Sequence, residues 1–167
     1  DFCPDFLFKS GSQSLTSRQV DKRTKVLLGN SFDFNISLKS KAKKIDNNYG
    51  LFLESPTPLF AGDSYILGVN QHHLCTPEKW FKSLDNFFNF IEKTQKVKIK
   101  IAPHPKVKHK SKRPEYYYGR EVINENLCDV VKHSKFLISR TSTGLSFAAI
   151  NSKPAIFIYT NEYLEKK

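Results

Sequence analysis

Short apolar runs alternate with helical patterns from residue 49 onward, and this order restricts the fold more than any other feature of the sequence. Three of the runs are brief, continuous and bounded by polar residues or proline, as buried strands are. In a fourth, apolar residues alternate with Lys98 and Lys100, which favour an edge position or stems that lie over a helix. The predicted strands are 50–53, 97–101, 136–138 and 155–159.

Three helical segments separate these strands. The first begins at Thr76-Pro77-Glu78, because threonine can cap free amides, proline fits the first helical position and glutamate suits the first turn. It extends to about Lys93 and carries its apolar residues on one face. Asn124 is predicted to cap the second helix, and the third covers residues 145–150. The apolar face of the first helix consists of Trp80, Leu84, Phe87, Phe88 and Ile91.

Alternating strands and helices predict an α/β fold, a Rossmann-like parallel sheet with helices on both faces. Ligands of such sheets bind beyond the carboxyl ends of the strands. We therefore expect four segments to gather at one edge of the sheet. They are Glu54-Ser55-Pro56, His104-Pro105-Lys106, Ser139 to Gly144, and Thr160-Asn161-Glu162.

Residues 1–48 have a less regular pattern. Phe6-Leu7-Phe8 and Val26-Leu27-Leu28 are brief apolar runs, and the sequence does not determine how they pair. We interpret 1–48 as an irregular linker or edge segment with short strands, and 49–167 as the Rossmann-like domain. The length of 167 residues suits one ordinary domain, while a first residue of Asp and the absence of Met predict a fragment of a longer enzyme.

The chain is strongly basic, with 27 Lys and Arg against 16 Asp and Glu and a formal net charge of +11, which favours polyanionic partners. Nine of these cations lie within residues 93–113, which contain no acidic residue. A solvated surface is the usual explanation of such a run. Binding to nucleic acid is the more specific alternative. Clustered cations favour it because they release counterions from the phosphate backbone, and Tyr116-Tyr117-Tyr118 could stack on bases. No nucleic-acid-binding motif accompanies the run, so a membrane surface or an anionic glycan is at least as good a partner.

Several classes of protein are disfavoured. The sequence has no run of about 20 apolar residues and no secretory leader, which argues against an integral membrane protein or an exported one. Cys3, Cys75 and Cys128 include no close pair, so neither a disulfide framework nor a zinc ribbon is indicated. His72-His73-Leu74-Cys75 has no second ligand cluster, and we expect no metal. Glycine-rich dinucleotide, phosphate-loop and Gly-x-Ser-x-Gly motifs are absent.

The turn Ser139-Arg140-Thr141-Ser142-Thr143-Gly144 carries the strongest chemical signal. It stands between a predicted strand and a helix start, where free amides, the helix dipole and hydroxyl groups can hold a phosphate and Gly144 permits close approach. The alternative is that Thr141 or Ser142 only caps the helix. One hydroxyl suffices for a cap, so the pattern favours phosphate binding.

His104 stands between Pro103 and Pro105, which stiffen the loop and aim the imidazole over the edge of the sheet. There the ring can donate a hydrogen bond to a phosphate and stabilise a leaving group as negative charge develops. The alternative is an exposed loop histidine, which the His-Pro dipeptide alone would favour.

As an ordered set, the motifs at Tyr49 to Pro56, Ile99 to Pro105 and Phe136 to Ile158 resemble one half of a bacterial glycosyltransferase. The family is that of capsule and lipopolysaccharide enzymes with GT-B architecture, including polysialyltransferase-like ones with a His-Pro motif and a Ser/Thr-rich motif. The similar half is the nucleotide-sugar-binding C-terminal one, and the resemblance covers about residues 49–160. It implies that both motifs hold the nucleotide phosphate of the donor.

Carried over residue by residue, the resemblance implies a site centred on His104 as the catalytic residue. Ser142 and Thr143 match the hydroxyl motif at the helix start, and Lys153-Pro154 match the turn into the next strand. The implied phosphate-binding residues are Pro105, Ser139, Thr141, Ser142, Thr143 and Gly144, and the further cleft contacts are Glu54, Ser55, Lys106 and Arg140.

The function implied by the resemblance is transfer of a sugar from a CMP- or UDP-linked donor to a glycan or glycolipid acceptor, without a metal or other cofactor. The acceptor-binding half that usually supplies the general base has no counterpart here, so we expect this piece to bind the donor and to be inactive alone. A cytoplasmic location is expected, with peripheral contact at the inner membrane through the basic surface.

Two alternatives remain from the sequence. A nucleotide-sugar epimerase of the same architecture predicts more carboxylates around the cleft than Glu54 and Glu162 provide. A basic α/β module that binds nucleic acid or another polyanion predicts affinity that falls steeply with salt and changes little when His104 is replaced.

Overall fold

The computed structural model describes residues 3–11, 20, 22–40, 48–55, 58, 75–106 and 114–161. The chain divides into two compact units, Asp1–Ser40 and Lys41–Lys167. Within the described ranges, none of the helices combines the length and the apolar character needed to cross a bilayer.

The first unit, Asp1–Ser40, contains two parallel strands and a helix. Strand β1 (Phe6–Ser10) pairs in parallel with β2 (Lys25–Gly29), so the two apolar runs form neighbouring strands. Helix α1 (Phe32–Lys39) begins after Ser31, whose hydroxyl accepts a hydrogen bond from the Phe34 amide. The sequence did not predict α1, because its apolar residues alternate with polar ones at a period of two instead of gathering on one helical face.

The second unit, Lys41–Lys167, is built on a four-stranded sheet in which all neighbouring strands are parallel. The spatial order is β4, β3, β5, β6, so β3 lies inside the sheet and its five residues are buried. The strands are β3 (Tyr49–Leu53), β4 (Lys98–Ala102), β5 (Phe136–Ser139) and β6 (Ala155–Phe157).

The four strands end level with one another. Leu53 stands opposite both Ala102 and Ser139, and Ser139 stands opposite Phe157. We call this line of strand ends the carboxyl edge. Since the strands are parallel, the segments that follow them all leave the sheet at this edge.

Helix α2 (Pro77–Gln95) covers one face of the sheet. Its start is as predicted, with the Thr76 hydroxyl accepting a hydrogen bond from the Lys79 amide and Pro77 in the first turn. The helix extends to Gln95, two residues beyond Lys93. The next residue, Lys96, caps it with a left-handed backbone at φ of 51°. The predicted apolar face packs against side chains of β3, β4 and β5, namely Phe52, Ile99, Ile101 and Ile138.

Helices α3 (Leu127–His133) and α4 (Leu145–Ile150) cover the opposite face. The Tyr49 hydroxyl reaches this side and donates a hydrogen bond of 2.6 Å to the Val130 carbonyl. The predicted cap of α3 was wrong: Asn126, and not Asn124, accepts a hydrogen bond from the Cys128 amide, because the helix begins at Leu127. Helices on both faces of a parallel sheet confirm the predicted Rossmann-like α/β fold.

Strand β4 lies at one end of the four-stranded sheet, in agreement with its lysines. Its outer side makes a single parallel bridge between Ile101 and Val122. Lys100 lies on the face opposite α2, where its ammonium is 4.9 Å from the centre of the Tyr49 ring and 3.0 Å from the Glu121 carboxylate. The lysine stem therefore covers an aromatic ring while its charge meets an exposed acid.

Candidate functional site

Two consecutive residues at the end of β3 hold the two candidate segments on either side of that strand. The Ser139 hydroxyl donates a hydrogen bond of 3.3 Å to the Leu53 carbonyl. The His104 amide donates one of 3.1 Å to the Oε2 atom of Glu54. The His-Pro loop and the hydroxyl-rich turn thus flank the end of an interior strand of the sheet.

Glu54 is a buried carboxylate whose two oxygens accept hydrogen bonds from different parts of the chain. Only 4% of the residue is exposed. Its Oε1 atom accepts a bond of 2.5 Å from the Tyr117 hydroxyl, while Oε2 accepts the bond from the His104 amide. Burial raises the pKa of Glu54, and these two hydrogen bonds offset only part of that effect.

Tyr117 is the donor to Glu54 throughout the physiological pH range. Burial, reinforced by the negative charge of Glu54 and the hydrogen bond to it, raises the pKa of Tyr117 far above its ordinary value. The phenol therefore keeps its proton. Because Tyr117 is only 2% exposed, it does not stack on bases as the tyrosine run had suggested, whereas Tyr118 is 52% exposed.

The imidazole of His104 is oriented by its own loop. Its Nδ1 atom accepts a hydrogen bond of 3.2 Å from the Lys106 amide. A neutral imidazole with an accepting Nδ1 carries its proton on Nε2. His104 is half-buried, and Pro105 and Lys106 after it are exposed. The ring is thereby set up to present Nε2 as a donor.

The hydroxyl-rich turn combines a buried anchor with exposed donors. Ser139 is fully buried, whereas Thr141 and Thr143 are exposed. The Ser142 hydroxyl accepts a hydrogen bond of 3.2 Å from the Gly144 amide, so Ser142 does shape the turn. Among the described residues, no hydrogen bond involves the backbone N–H groups of positions 141–143. Three successive amides of this kind are suited to an anion.

Gly144 lies in a closely packed place. A Cβ atom at this position would lie 2.7 Å from the Cδ2 atom of Leu127 and 3.5 Å from the Cδ1 atom of Leu53. The glycine lets the start of α4 approach both α3 and the end of β3. The sequence had suggested a ligand as the reason for this glycine, and helix packing provides a second reason.

Further predicted site residues follow the strand ends directly. Ser55 is buried beside Glu54, and the half-buried Arg140 follows Ser139. The Ile158 amide donates a hydrogen bond of 3.1 Å to the Ser139 carbonyl, which places the residues just before the fourth segment beside the start of the hydroxyl-rich turn. Pro56 and Glu162 lie outside the described residues.

Arg120 is a residue that sequence reasoning missed. Its guanidinium contacts three polar residues of α2: Asp85 at 2.7 Å, Asn89 at 2.6 Å and Glu92 at 2.9 Å. The Arg120 amide also donates a hydrogen bond of 3.0 Å to the Tyr117 carbonyl. Arg120 therefore fastens the short 3-10 helix Pro114–Tyr117 to α2. The spacing of the three partners along one helical stripe was the available signal.

The basic run is described only in part. Lys93, Lys96 and Lys98 are exposed, whereas Lys108 and the cations after it up to Arg113 lie outside the described residues. His72 and His73 also lie outside. In the part of the chain that the structure describes, no three His, Cys, Asp or Glu side chains are grouped to hold a metal ion, and no disulfide joins the cysteines.

Replacing Glu54 with glutamine tests the buried charge. The folded state raises the pKa of Glu54 above its ordinary 4.5, so it binds this proton more tightly than the unfolded state. Stability from this group is therefore present below pH 4.5 and is lost as pH rises through the raised pKa. Glu54→Gln does not titrate, so its stability relative to wild type should improve as pH rises.

The measurement is the free energy of urea unfolding at a series of pH values, with Glu125→Gln as the control. Glu125 is an exposed acid, so this variant reports the general effect of removing one negative charge. A difference between wild type and Glu54→Gln that stays constant over pH would contradict the assignment.

No family model matches the sequence, and no curated protein matches it. Solved structures do share its fold. One is UDP-GlcNAc 2-epimerase from Methanocaldococcus jannaschii in complex with UDP-GlcNAc and UDP, with a TM-score of 0.51 and 14% identity over 84% of this chain and 41% of that chain. Another structure of that enzyme has a TM-score of 0.45 and 17% identity over 79% of this chain and 35% of that one.

The chain thus spans less than half the length of these two epimerase structures. At this level of identity the likeness is one of fold. It agrees with the prediction of a Rossmann-like sheet belonging to one half of a GT-B-type architecture.

Proposed function

We propose that the Lys41–Lys167 unit binds a nucleotide-linked sugar and is the donor domain of a glycosyltransferase for a surface polysaccharide or lipopolysaccharide. One observation carries the proposal. The His-Pro loop and the hydroxyl-rich turn are bonded to Glu54 and Leu53, consecutive residues at the end of an interior strand. Ligands of parallel sheets bind at this edge, and a phosphate between the two segments would meet donors from both.

In this proposal the phosphates lie against the turn at 141–143 and the Nε2 atom of His104. Backbone amides and the exposed Thr141 and Thr143 hydroxyls supply hydrogen bonds, and Lys106 and Arg140 supply positive charge. Ser139 has an anchoring role instead, because its hydroxyl is bonded to Leu53. Support for a CMP- or UDP-linked donor comes from the sequence resemblance and from the fold shared with an enzyme solved with UDP-GlcNAc and UDP.

The proposed reaction is a direct displacement. An acceptor hydroxyl attacks the anomeric carbon, the bond from that carbon to the phosphate oxygen breaks, and the acceptor proton passes to a general base. His104 donates a hydrogen bond from Nε2 to the leaving phosphate and stabilises its growing charge. Both oxygens of Glu54 are engaged, so we assign the base to the acceptor-binding half of the enzyme.

An epimerase is the second candidate, favoured by the names of the structural neighbours. It would use the same nucleotide-sugar site. The described carboxyl edge presents Glu54 as its buried acid, and that acid is committed to Tyr117 and His104. We favour the glycosyltransferase for this reason. Conversion of a UDP-sugar to its epimer without any acceptor would favour the epimerase.

The test of the donor site is calorimetric and thermal-shift binding of CMP, UDP and GDP to wild type, His104→Ala and Ser142→Ala. We expect one nucleotide to stabilise the wild-type protein and to bind about ten-fold more weakly to each variant, because His104→Ala removes one hydrogen bond to a charged group and Ser142→Ala removes the bond that shapes the turn. Thr94→Ala is the matched control, since Thr94 lies near the end of α2, which returns the chain to the amino end of β4.

Equal affinity in all variants would contradict the proposed site. An oligonucleotide that binds with steep salt dependence, and equally well to His104→Ala, would support the polyanion-binding alternative.

A further inference from the structure

We propose that Glu54 and Tyr117 are positioning residues, a buried pair that fixes the His104 loop at the carboxyl edge in its ligand-binding geometry. This inference rests on the proposed function and assigns Glu54 a role different from the cleft contact expected from sequence.

The Glu54 carboxylate is suited to join two segments. An ionised carboxylate is an acceptor with two oxygens, and here one oxygen takes the Tyr117 hydroxyl while the other takes the His104 amide. The three residues come from three segments, since 50 residues separate Glu54 from His104 and 63 separate it from Tyr117. A carboxylate at 4% exposure is costly unless its oxygens are hydrogen-bonded, and these two bonds offset part of that cost.

Tyr117 is itself held rigidly. Its ring makes an edge contact with Phe81, with centroids 5.9 Å apart and planes at 88°. Its carbonyl accepts the Arg120 amide, and Arg120 is bound to α2 through Asp85 and Glu92. Hydrogen bonds therefore run from α2 through Arg120, Tyr117 and Glu54 to the His104 backbone.

Two hydrogen bonds restrain the direction of the His104 ring. Glu54 fixes the backbone amide of His104, and the Lys106 amide fixes Nδ1. Loss of the first restraint lets the loop backbone shift while the ring keeps its contact with Lys106. Hydrogen bonds weaken steeply with distance and angle, so a small shift of Nε2 reduces binding of a phosphate there.

The experiment compares Tyr117→Phe with Tyr118→Phe. Each variant removes one phenolic oxygen, from the buried Tyr117 or from its exposed neighbour Tyr118. The hydrogen-exchange rate of the His104 amide, measured by NMR in the nucleotide-free protein, shows how strongly the loop backbone is restrained. Calorimetric titration with CMP, UDP and GDP, at a temperature well below the unfolding midpoint, measures the nucleotide affinity of the site. We expect about ten-fold faster exchange and about ten-fold weaker binding in Tyr117→Phe, and no change in Tyr118→Phe.

A purely structural role would lower the unfolding midpoint of Tyr117→Phe without changing either readout. Unchanged exchange and affinity in Tyr117→Phe would overturn the inference while leaving the donor site intact. Wild-type protein that binds none of the nucleotides would overturn the proposed ligand, and the exchange data would still decide whether the pair holds the loop. Should Tyr117→Phe fail to fold, Glu54→Met serves the same comparison, because methionine has a similar length and offers neither carboxylate oxygen to the Tyr117 hydroxyl or the His104 amide.

Discussion

Replacing Phe88 with alanine is expected to lower the free energy of unfolding of the Lys41–Lys167 unit by about 3–5 kcal/mol. Phe88 is 2% exposed, and its ring centre lies 5.2 Å from that of Phe52 on the interior strand. The guanidinium of Arg120 lies 5.2 Å from the same ring. Truncation would leave a cavity between α2 and the sheet and would remove the surface on which Arg120 rests.

Urea unfolding followed by tryptophan fluorescence measures this loss, because the chain contains one Trp and Trp80 is buried in the same core at 3% exposure. Phe90→Ala is the matched control. Phe90 lies on the same helix but is 64% exposed, so its removal should change stability by no more than about 0.5 kcal/mol. Equal losses in the two variants would contradict the orientation of α2 on the sheet.

Replacing Arg120 with methionine is expected to lower the free energy of unfolding by about 2–3 kcal/mol. Methionine keeps an apolar stem but removes every donor to α2. The Arg120 side chain is 8% exposed, so its charge pairs are poorly screened by water. The Asp85 and Glu92 side chains retain 20% and 28% exposure, which lets water recover part of the loss and keeps it below that of a fully buried pair.

Lys100→Met is the comparison that separates a buried ion pair from an exposed one. Lys100 contacts Glu121, whose side chain is 61% exposed, so this variant should lose less than about 1 kcal/mol. Both variants are measured by the same urea titration. If Arg120→Met were no less stable than Lys100→Met, the Arg120 contacts would not be what fastens the 3-10 helix to α2.

The two predictions concern the same support. The Phe88 ring packs against the Arg120 guanidinium, and the Arg120 amide donates a hydrogen bond to the Tyr117 carbonyl. The Tyr117 hydroxyl in turn donates a hydrogen bond to Glu54 at the end of β3. Loss of either Phe88 or Arg120 should therefore also speed exchange of the His104 amide, an effect transmitted through Tyr117 and Glu54. This second readout distinguishes the support of the loop from general stability.

The sequence by itself determined the features that depend on near neighbours along the chain. The start of α2 follows from Thr76 and Pro77, which act within one turn. The four strands of the parallel sheet follow from short apolar runs and from alternation with lysines. Since parallel strands must leave the sheet at one edge, the location of the His104 loop and the turn at 139–144 at the same edge was also predictable.

Local sequence patterns did not predict every feature of the fold. Helix α1 has a period of two in its apolar residues and is nevertheless a helix, started by Ser31. Asn124 was expected to cap α3, whereas Asn126 does so, because the helix begins at Leu127. Local patterns also do not explain why position 50 is glycine, where a Cβ atom would lie 2.5 Å from the Phe136 ring and 2.8 Å from Ile99.

Only the tertiary structure decided what supports the candidate site. Glu54 and Tyr117 are 63 residues apart, and neither the glutamate nor the tyrosine run indicates that they form a buried pair. The same is true of Arg120, which reaches α2 across 28 to 35 residues of sequence. Such pairs depend on which side chains the folded sheet and helices bring within hydrogen-bond distance, and on the burial that makes those bonds necessary.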